Sequence, residues 1–154
     1  MDMHEYARRA EEAKSKLYRT AVMVLGEPSA AEEALDEAVY RGLRGCRRLR
    51  SPEYFDTWLT RILLNACYDE LKRRKRVTAA EELPETAEEF DALPLKEAVR
   101  GLPRELRDVV VLRYFSGYTL RETAEILEIP RGTAATRQRR ALQLLRLELG
   151  EEEN

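Results

Sequence analysis

The stretch LPRELRDVVVLRYFSGYTLRETAEILEIPRGTAATRQRRALQLL, residues 102–145, decides the fold. After Pro103, Leu106, Val109, Val110 and Leu112 recur at helical spacing to about Phe115, and Gly117 breaks that helix. Thr119 and Glu122 form a capping-box pair, the hydroxyl taking one orphan amide and the carboxylate another. They open a short helix whose apolar positions are Ala124, Ile126 and Leu127. Glu128-Ile129-Pro130 is a tight turn, and Pro130 enters a helical first turn without losing a hydrogen bond. The last helix, from about Pro130 to Leu149, turns Ala134, Ala141, Leu142, Leu145 and Leu149 to the core. Arg131, Thr133, Thr136, Arg137, Arg139 and Arg140 crowd its N-terminal half on other sides. A short helix, a tight turn and a longer helix that is basic at its start make a helix-turn-helix pattern. Its second helix fits the major groove end-on, so Thr and Arg in its first turns reach base edges and phosphates. With Thr119 and Arg121 on the preceding helix, these are the candidate duplex contacts. A plain helical hairpin with a solvated arginine face is the competing reading, and the cap, the turn and the clustering count against it.

Upstream the pattern stays helical. Leu95–Gly101 reads as a short helix that stops at Gly101-Leu102-Pro103. Residues 77–94 carry six acids, no base and little to bury, which marks an acidic linker. Before it, three helices are expected. The first, about His4–Leu25, places Tyr6, Ala10, Ala13, Leu17, Ala21 and Val24 on one face. The second, about Ala30–Arg44, has Ser29 and Glu32 as an N-cap pair. The third runs from about Glu53, after Ser51-Pro52, to Arg74 or a little beyond. On it Phe55, Leu59, Ile62, Leu63, Ala66 and Cys67 make an apolar stripe. Thr57, Arg61, Asn65, Asp69, Lys72 and Arg76 line another side and end in the run Lys72-Arg73-Arg74-Lys75-Arg76. Such a run also suits a solvated helix C-terminus.

The 154 residues are 44% hydrophobic and 36% charged, with a formal charge of −2. Residues 1–76 hold 16 bases and 13 acids, and residues 95–154 hold 11 and 10, so two basic blocks flank an acidic strip. Cys46 and Cys67 form no CxxC pair and read as reduced, packed thiols. One histidine, His4, and no ligand spacing exclude a His-rich metal site, and no nucleophile–base pair or phosphate loop supports an enzyme. No cofactor is expected. The polar start and the short apolar runs predict neither a signal peptide nor a membrane span, hence a cytoplasmic protein.

Residues 102–145 resemble the C-terminal promoter-reading domain of bacterial sigma factors, in the run L-P-x-x-x-R-x-V-x-x-L-R-Y, then G, then I-P-x-G-T before an arginine-rich helix. AEEALDEAVYRGL at 31–43 and TWLTRILLNACYDELKRRKR at 57–76 are similar to that family's N-terminal core domain. The short two-domain form is similar to the extracytoplasmic-function group. The resemblance implies an all-α fold of two small domains: an N-terminal helical bundle over 1–76 and a helix-turn-helix four-helix domain over 95–154, joined by the acidic linker 77–94. It implies core RNA polymerase and promoter DNA as partners, with an anti-sigma factor masking both domains. The C-terminal domain would read the −35 element. The N-terminal domain would take the −10 element as it melts, through the loop Leu49–Tyr54 with Ser51 and Tyr54, through Arg61 and Asn65, and through Lys72, Arg73 and Arg76 on phosphates. Trp58 is expected in the core. Glu33, Asp36, Glu37 and Arg41 of the second helix would meet the coiled-coil clamp of polymerase. The chain departs from the family at Ala34, Asp36, Val39 and Leu43, which lighten and acidify that helix, and at Ala135, where a lysine is usual. A stand-alone helix-turn-helix regulator with a sensing or dimerising N-terminal bundle is the alternative, and the Arg61/Asn65 stripe tells against it.

Overall fold

In the computed structural model the backbone is described over residues 1–78 and 93–148, and side chains over 1–75 and 94–147. Seven α-helices and no strand occur among the described residues: α1 Met3–Leu25, α2 Pro28–Gly45, α3 Phe55–Thr78, α4 Leu93–Arg100, α5 Arg104–Val110, α6 Leu120–Leu127 and α7 Arg131–Glu148. Helices α3 and α4 reach into the two ends of the expected linker, and residues 79–92 of it lie outside the described residues.

Helix α1 begins where the Asp2 carboxylate accepts the Glu5 amide at 2.8 Å. It ends at Gly26, whose φ of 75° is the left-handed conformation glycine takes without a Cβ penalty. The start of α2 differs from expectation. Pro28 opens it, because proline's fixed φ and missing donor are harmless there. Ser29 then lies inside the helix, and its hydroxyl donates to the Glu27 carboxylate at 2.6 Å instead of capping. The inner face of α2 is built from small residues, Ala30, Ala31, Ala34, Ala38 and Gly42, all buried, so α1 and α3 can approach closely. At Gly42 the Tyr6 hydroxyl fills the space a Cβ would need, while donating to the Val39 carbonyl at 2.6 Å.

Two short 3-10 turns, Cys46–Arg48 and Pro52–Tyr54, precede α3, which starts at Phe55 and not at Glu53. Proline at the start of the second turn favours this tight entry. Phe55, Leu59, Leu63, Ala66 and Cys67 of the apolar stripe are buried and Ile62 is half-buried, and each fully buried leucine is worth about 2 kcal/mol. Trp58 is half-buried and packs against the core, edge-to-face with Tyr6 at 6.2 Å. Cys46 and Cys67 are free, buried thiols, and burial pushes the Cys67 thiol up to about 12.

In the second half, α5 passes into a π-helical turn, Val111–Phe115, closed by the Ser116 amide on the Val111 carbonyl. The helix expected to Phe115 therefore widens in its last turn before Gly117 reverses the chain at φ 79°. Thr119 and Glu122 form the capping box in both directions, and α6 ends at Glu128 in the left-handed conformation. Ala134, Ala141 and Leu145 of α7 are buried. One apolar core runs from α1–α3 into α4–α7, so the two halves are packed on each other rather than held apart.

Candidate nucleic-acid interface

The capping box fixes where α6 starts, and the left-handed Glu128 fixes the turn, so α7 leaves at a set angle. Thr119 and Arg121 on α6 are exposed, as are Arg131, Thr136, Arg139 and Arg140 on α7, while Thr133 and Arg137 are half-buried. Gly132, Thr133, Thr136, Arg137 and Arg140 line an open hollow with Glu105 and Leu106 of α5. Thr133, Thr136, Arg137 and Arg140 thus border one hollow at the start of α7, while Thr119, Arg121, Arg131 and Arg139 do not line it. Arg113, from the π-helical turn, braces that region by donating to the Gln138 side chain at 2.9 Å and to the Tyr118 carbonyl at 2.8 Å. Periodicity alone gave Arg113 no role.

The candidate contacts of the N-terminal half are more dispersed. Tyr54 is 53% exposed on the second 3-10 turn, with Ser51 half-buried before it. Lys72 is exposed, and the side chain of Arg76 lies outside the described residues. Arg73 is held in an ion-pair network: its guanidinium meets Glu70 at 2.6 Å and Glu33 at 2.7 Å. Arg74 joins the same carboxylates and reaches Glu27 at 3.1 Å. Hydrogen bonding from Arg73, then from Arg74, holds the Glu70 carboxyl down to about 2. Glu33, expected to face polymerase, is thereby tied to the basic run. Arg41 bridges Glu37 at 3.0 Å and Asp69 at 2.8 Å, while Asp36 is exposed toward α1, in a hollow with Lys14 and Tyr18. The outward face of α2 and the end of α3 form one interlocked charged surface.

Arg61, its side chain 39% exposed, reaches across to the helix-turn-helix. Its guanidinium donates to the Ile126 carbonyl at 3.1 Å and the Glu125 carbonyl at 3.0 Å, and pairs with the Glu128 carboxylate at 2.5 Å. Carbonyls at a helix C-terminus lack helical partners and carry the negative end of its dipole, so a cation suits that place. Asn65 is exposed at the mouth of the same cleft, which Arg104 and Arg137 also line. Deeper in, the Tyr68 hydroxyl hydrogen-bonds Asp108, and the Arg104 guanidinium lies 3.5 Å from the Tyr68 ring centre. Burial pushes the Asp108 carboxyl up to about 6, against the opposing pull of Tyr68, Arg104, Arg107 and Arg137. Burial also raises the Tyr68 phenol, with the Asp108 charge adding to it.

Two family models match the chain in order, sigma-70 region 2 over residues 10–77 and sigma-70 region 4 over residues 98–147. The chain is 33% identical over 141 residues to the ECF RNA polymerase sigma factor SigM of Mycobacterium tuberculosis, covering 88% of this chain and 72% of that protein. It is 30% identical to the ECF RNA polymerase sigma factor SigW of Bacillus subtilis, covering 88% of this chain and 84% of that one. The chain belongs to the ECF sigma factors. It is a DNA-binding transcription-initiation factor of bacterial RNA polymerase. The sigma factor RpoE of Bartonella quintana, solved in complex with the anti-sigma factor NepR, has the same fold: TM-score 0.79 at 19% identity, over 97% of this chain and 99% of that one. CnrH, solved with the cytosolic domain of CnrY, matches at TM-score 0.75 and 18% identity, over 99% of this chain and 92% of that one.

Within this sigma factor the structure gathers Thr133, Thr136, Arg137 and Arg140 of α7 around one hollow, sets Arg131 and Arg139 in solvent outside it, and leaves Tyr54 open. It draws Arg61 into an internal contact and binds Arg73 into an ion-pair network. Among the described residues no cluster of His, Cys, Asp and Glu could hold a metal, and no helix is long and apolar enough to cross a membrane.

Proposed function

We propose a division of labour between the halves of this sigma factor. The C-terminal half reads the upstream, −35 element as duplex, with Arg131, Thr133, Thr136, Arg137, Arg139 and Arg140 on α7 and Thr119 and Arg121 on α6. The N-terminal half takes the −10 element as it melts, with Ser51 and Tyr54 flanking an unstacked base and with Arg61, Asn65, Lys72, Arg73 and Arg76 along the strand. Unstacking a base costs a few kcal/mol, which a shaped loop and nearby cations offset. Glu33, Asp36, Glu37 and Arg41 dock on the core polymerase clamp, where charge complementarity sets register and association rate. The protein acts in the cytoplasm by binding, without chemistry of its own, and an anti-sigma factor controls it. The observation that carries the reading is the run of exposed Arg131, Thr136, Arg139 and Arg140 through the first half of α7, set behind a complete capping box.

Transcription from a linear promoter library with purified core polymerase, with and without this protein, tests it. Protein-dependent initiation at a shared two-part upstream motif is expected. Duplex binding without core binding or initiation would make it a stand-alone regulator instead.

A further inference from the structure

The turn Pro52–Tyr54 carries Tyr54 and follows Ser51, the pair assigned to the captured base, yet it is only three residues of 3-10 helix, all of them exposed. Such a turn has poor hydrogen-bond geometry and little to bury, so it is weakly held by itself. Two bonds close it from within, the Tyr54 amide on the Ser51 carbonyl at 3.0 Å and the Phe55 amide on the Pro52 carbonyl. From α3, the Thr57 hydroxyl donates to the Tyr54 carbonyl at 3.1 Å. A further hold comes from α1, 43 residues away: the Arg9 guanidinium donates to the Pro52 carbonyl at 3.1 Å. A carbonyl oxygen has two lone pairs, so Pro52 accepts from Phe55 and Arg9 together. Arg9 is itself fixed by its neighbours. Its other terminal nitrogen meets the Glu5 carboxylate at 3.1 Å, one turn back on α1. Its guanidinium carbon lies 5.9 Å from the centre of the Phe55 ring, which is buried against Tyr6. Its Nε is buried with no hydrogen-bond partner among the described residues. An unmet buried donor is costly, so the other contacts of this guanidinium hold it in place against that cost.

We propose that Arg9 is a positioning residue for base capture: from α1 it fixes the Pro52–Tyr54 turn so that Ser51 and Tyr54 present one shape to the unstacked base. The inference rests on the assignment of Ser51 and Tyr54 to that base. Arg9 need touch neither base nor phosphate, since it acts through the Pro52 carbonyl. The physical reason is preorganisation. Discrimination between bases requires donors and acceptors at fixed positions, because a loose loop adjusts to a wrong base as readily as to the right one. A turn that orders only on binding also loses part of the interaction to the entropy of ordering. Arg9 orders the turn in advance and does so through backbone, which leaves the Tyr54 side chain exposed for the base. Its neighbour Arg8 supplies the contrast: that guanidinium pairs with Glu12 on the surface of α1, its side chain 61% exposed.

Initiation by the full chain with core polymerase, on a promoter library varied one base at a time across the −10 element, tests the inference. Wild type is expected to prefer one base at the captured position. Arg9→Ala should lose about tenfold of that preference, the equivalent of one hydrogen bond, with core binding and the −35 preferences unchanged. Arg9→Lys still reaches the Pro52 carbonyl and should stay within about threefold of wild type. Arg8→Ala should behave as wild type. In the free chain, hydrogen exchange of the Tyr54 and Phe55 amides should quicken about tenfold in Arg9→Ala. A uniform fall in initiation over all positions, an equal loss in Arg8→Ala, or unchanged exchange would each overturn the inference. Tyr54→Ala separates the inference from the reading beneath it. If Tyr54→Ala flattens the preference and Arg9→Ala does not, the positioning role alone falls. If Tyr54→Ala leaves every −10 preference intact, the base-capture assignment falls and the inference with it.

Discussion

Replacing Asp108 by Asn and titrating both proteins isolates the carboxyl buried between the two halves. Asp108 is 6% exposed and meets Tyr68 from α3, Arg104 and Arg107 from its own helix, Arg137 from α7 and the Cys67 thiol. Burial outweighs the three guanidinium groups and raises its pKa from 3.8 to about 6. The folded chain therefore holds a proton that the unfolded chain has released across that interval. Stability from this group is fully present below pH 3.8 and is lost as the pH rises through about 6. The interval is worth about 3 kcal/mol. Glu70 works in the opposite sense: held down to about 2, it stabilises above pH 4.5, and that contribution is lost as the pH falls toward 2. Because Glu70 is present in both proteins, it cancels in their difference. Urea unfolding from pH 3.5 to 7.5 reads that difference directly. The wild-type stability minus that of Asp108→Asn should fall by about 3 kcal/mol with rising pH, most steeply between pH 4 and 6. Adding Tyr68→Phe removes a hydrogen bond that lowers the carboxyl, so the wild-type window should move to higher pH. A difference flat to within about 0.5 kcal/mol over the range would show that Asp108 is not buried as this fold has it, and the reasoning from the packing of the two halves would fall with it.

Three further outcomes follow from single contacts. Thr119→Ala removes one direction of the capping box and should cost about 1 kcal/mol in urea unfolding, with Thr119→Ser restoring most of it. Gly42→Ala drives a methyl into the Tyr6 hydroxyl and the Leu59 side chain, so either α2 shifts or the Tyr6–Val39 bond breaks. A loss of about 1–3 kcal/mol is expected by thermal or urea unfolding, and an unchanged midpoint would mean α2 lies farther from α1 than it does here. Arg140→Ala at the exposed face of α7 should weaken promoter binding and reduce the salt dependence of log K by about one phosphate contact. An unchanged salt slope in a fluorescence titration would place Arg140 off the backbone.

How far the fold could be read in advance depended on whether the deciding interaction was local. The capping box at Thr119 and Glu122 spans one helical turn, and the apolar stripe of α3 repeats at a fixed period, so both were legible residue by residue. Ser29 misled because Ser and Glu at that spacing suit a cap, yet Pro28 just before them suits the first helical turn better, and proline's φ won. The π-helical turn at Val111–Phe115 adds one residue to a hydrogen-bonded ring, a change that side-chain periodicity over five residues does not reveal. At the site the divide is the same. Arg131, Arg139 and Arg140 of α7 face outward for reasons of helical phase alone, whereas Arg137 turns toward Asp108. The partners of Arg61 are 64 and 65 residues away, backbone carbonyls whose sequence positions carry no signature. Tyr68 and Asp108 carry no mark of each other in the sequence, being 40 residues apart on different helices. Asp108 lies across α5 from the stripe of Leu106, Val109 and Val110, where helical phase points to solvent, and it is buried only because the first half covers that side as well. A carboxylate there requires a partner from another element. A tyrosine one residue beyond the apolar stripe of α3, with a hydroxyl long enough to leave the bundle, is what that position called for.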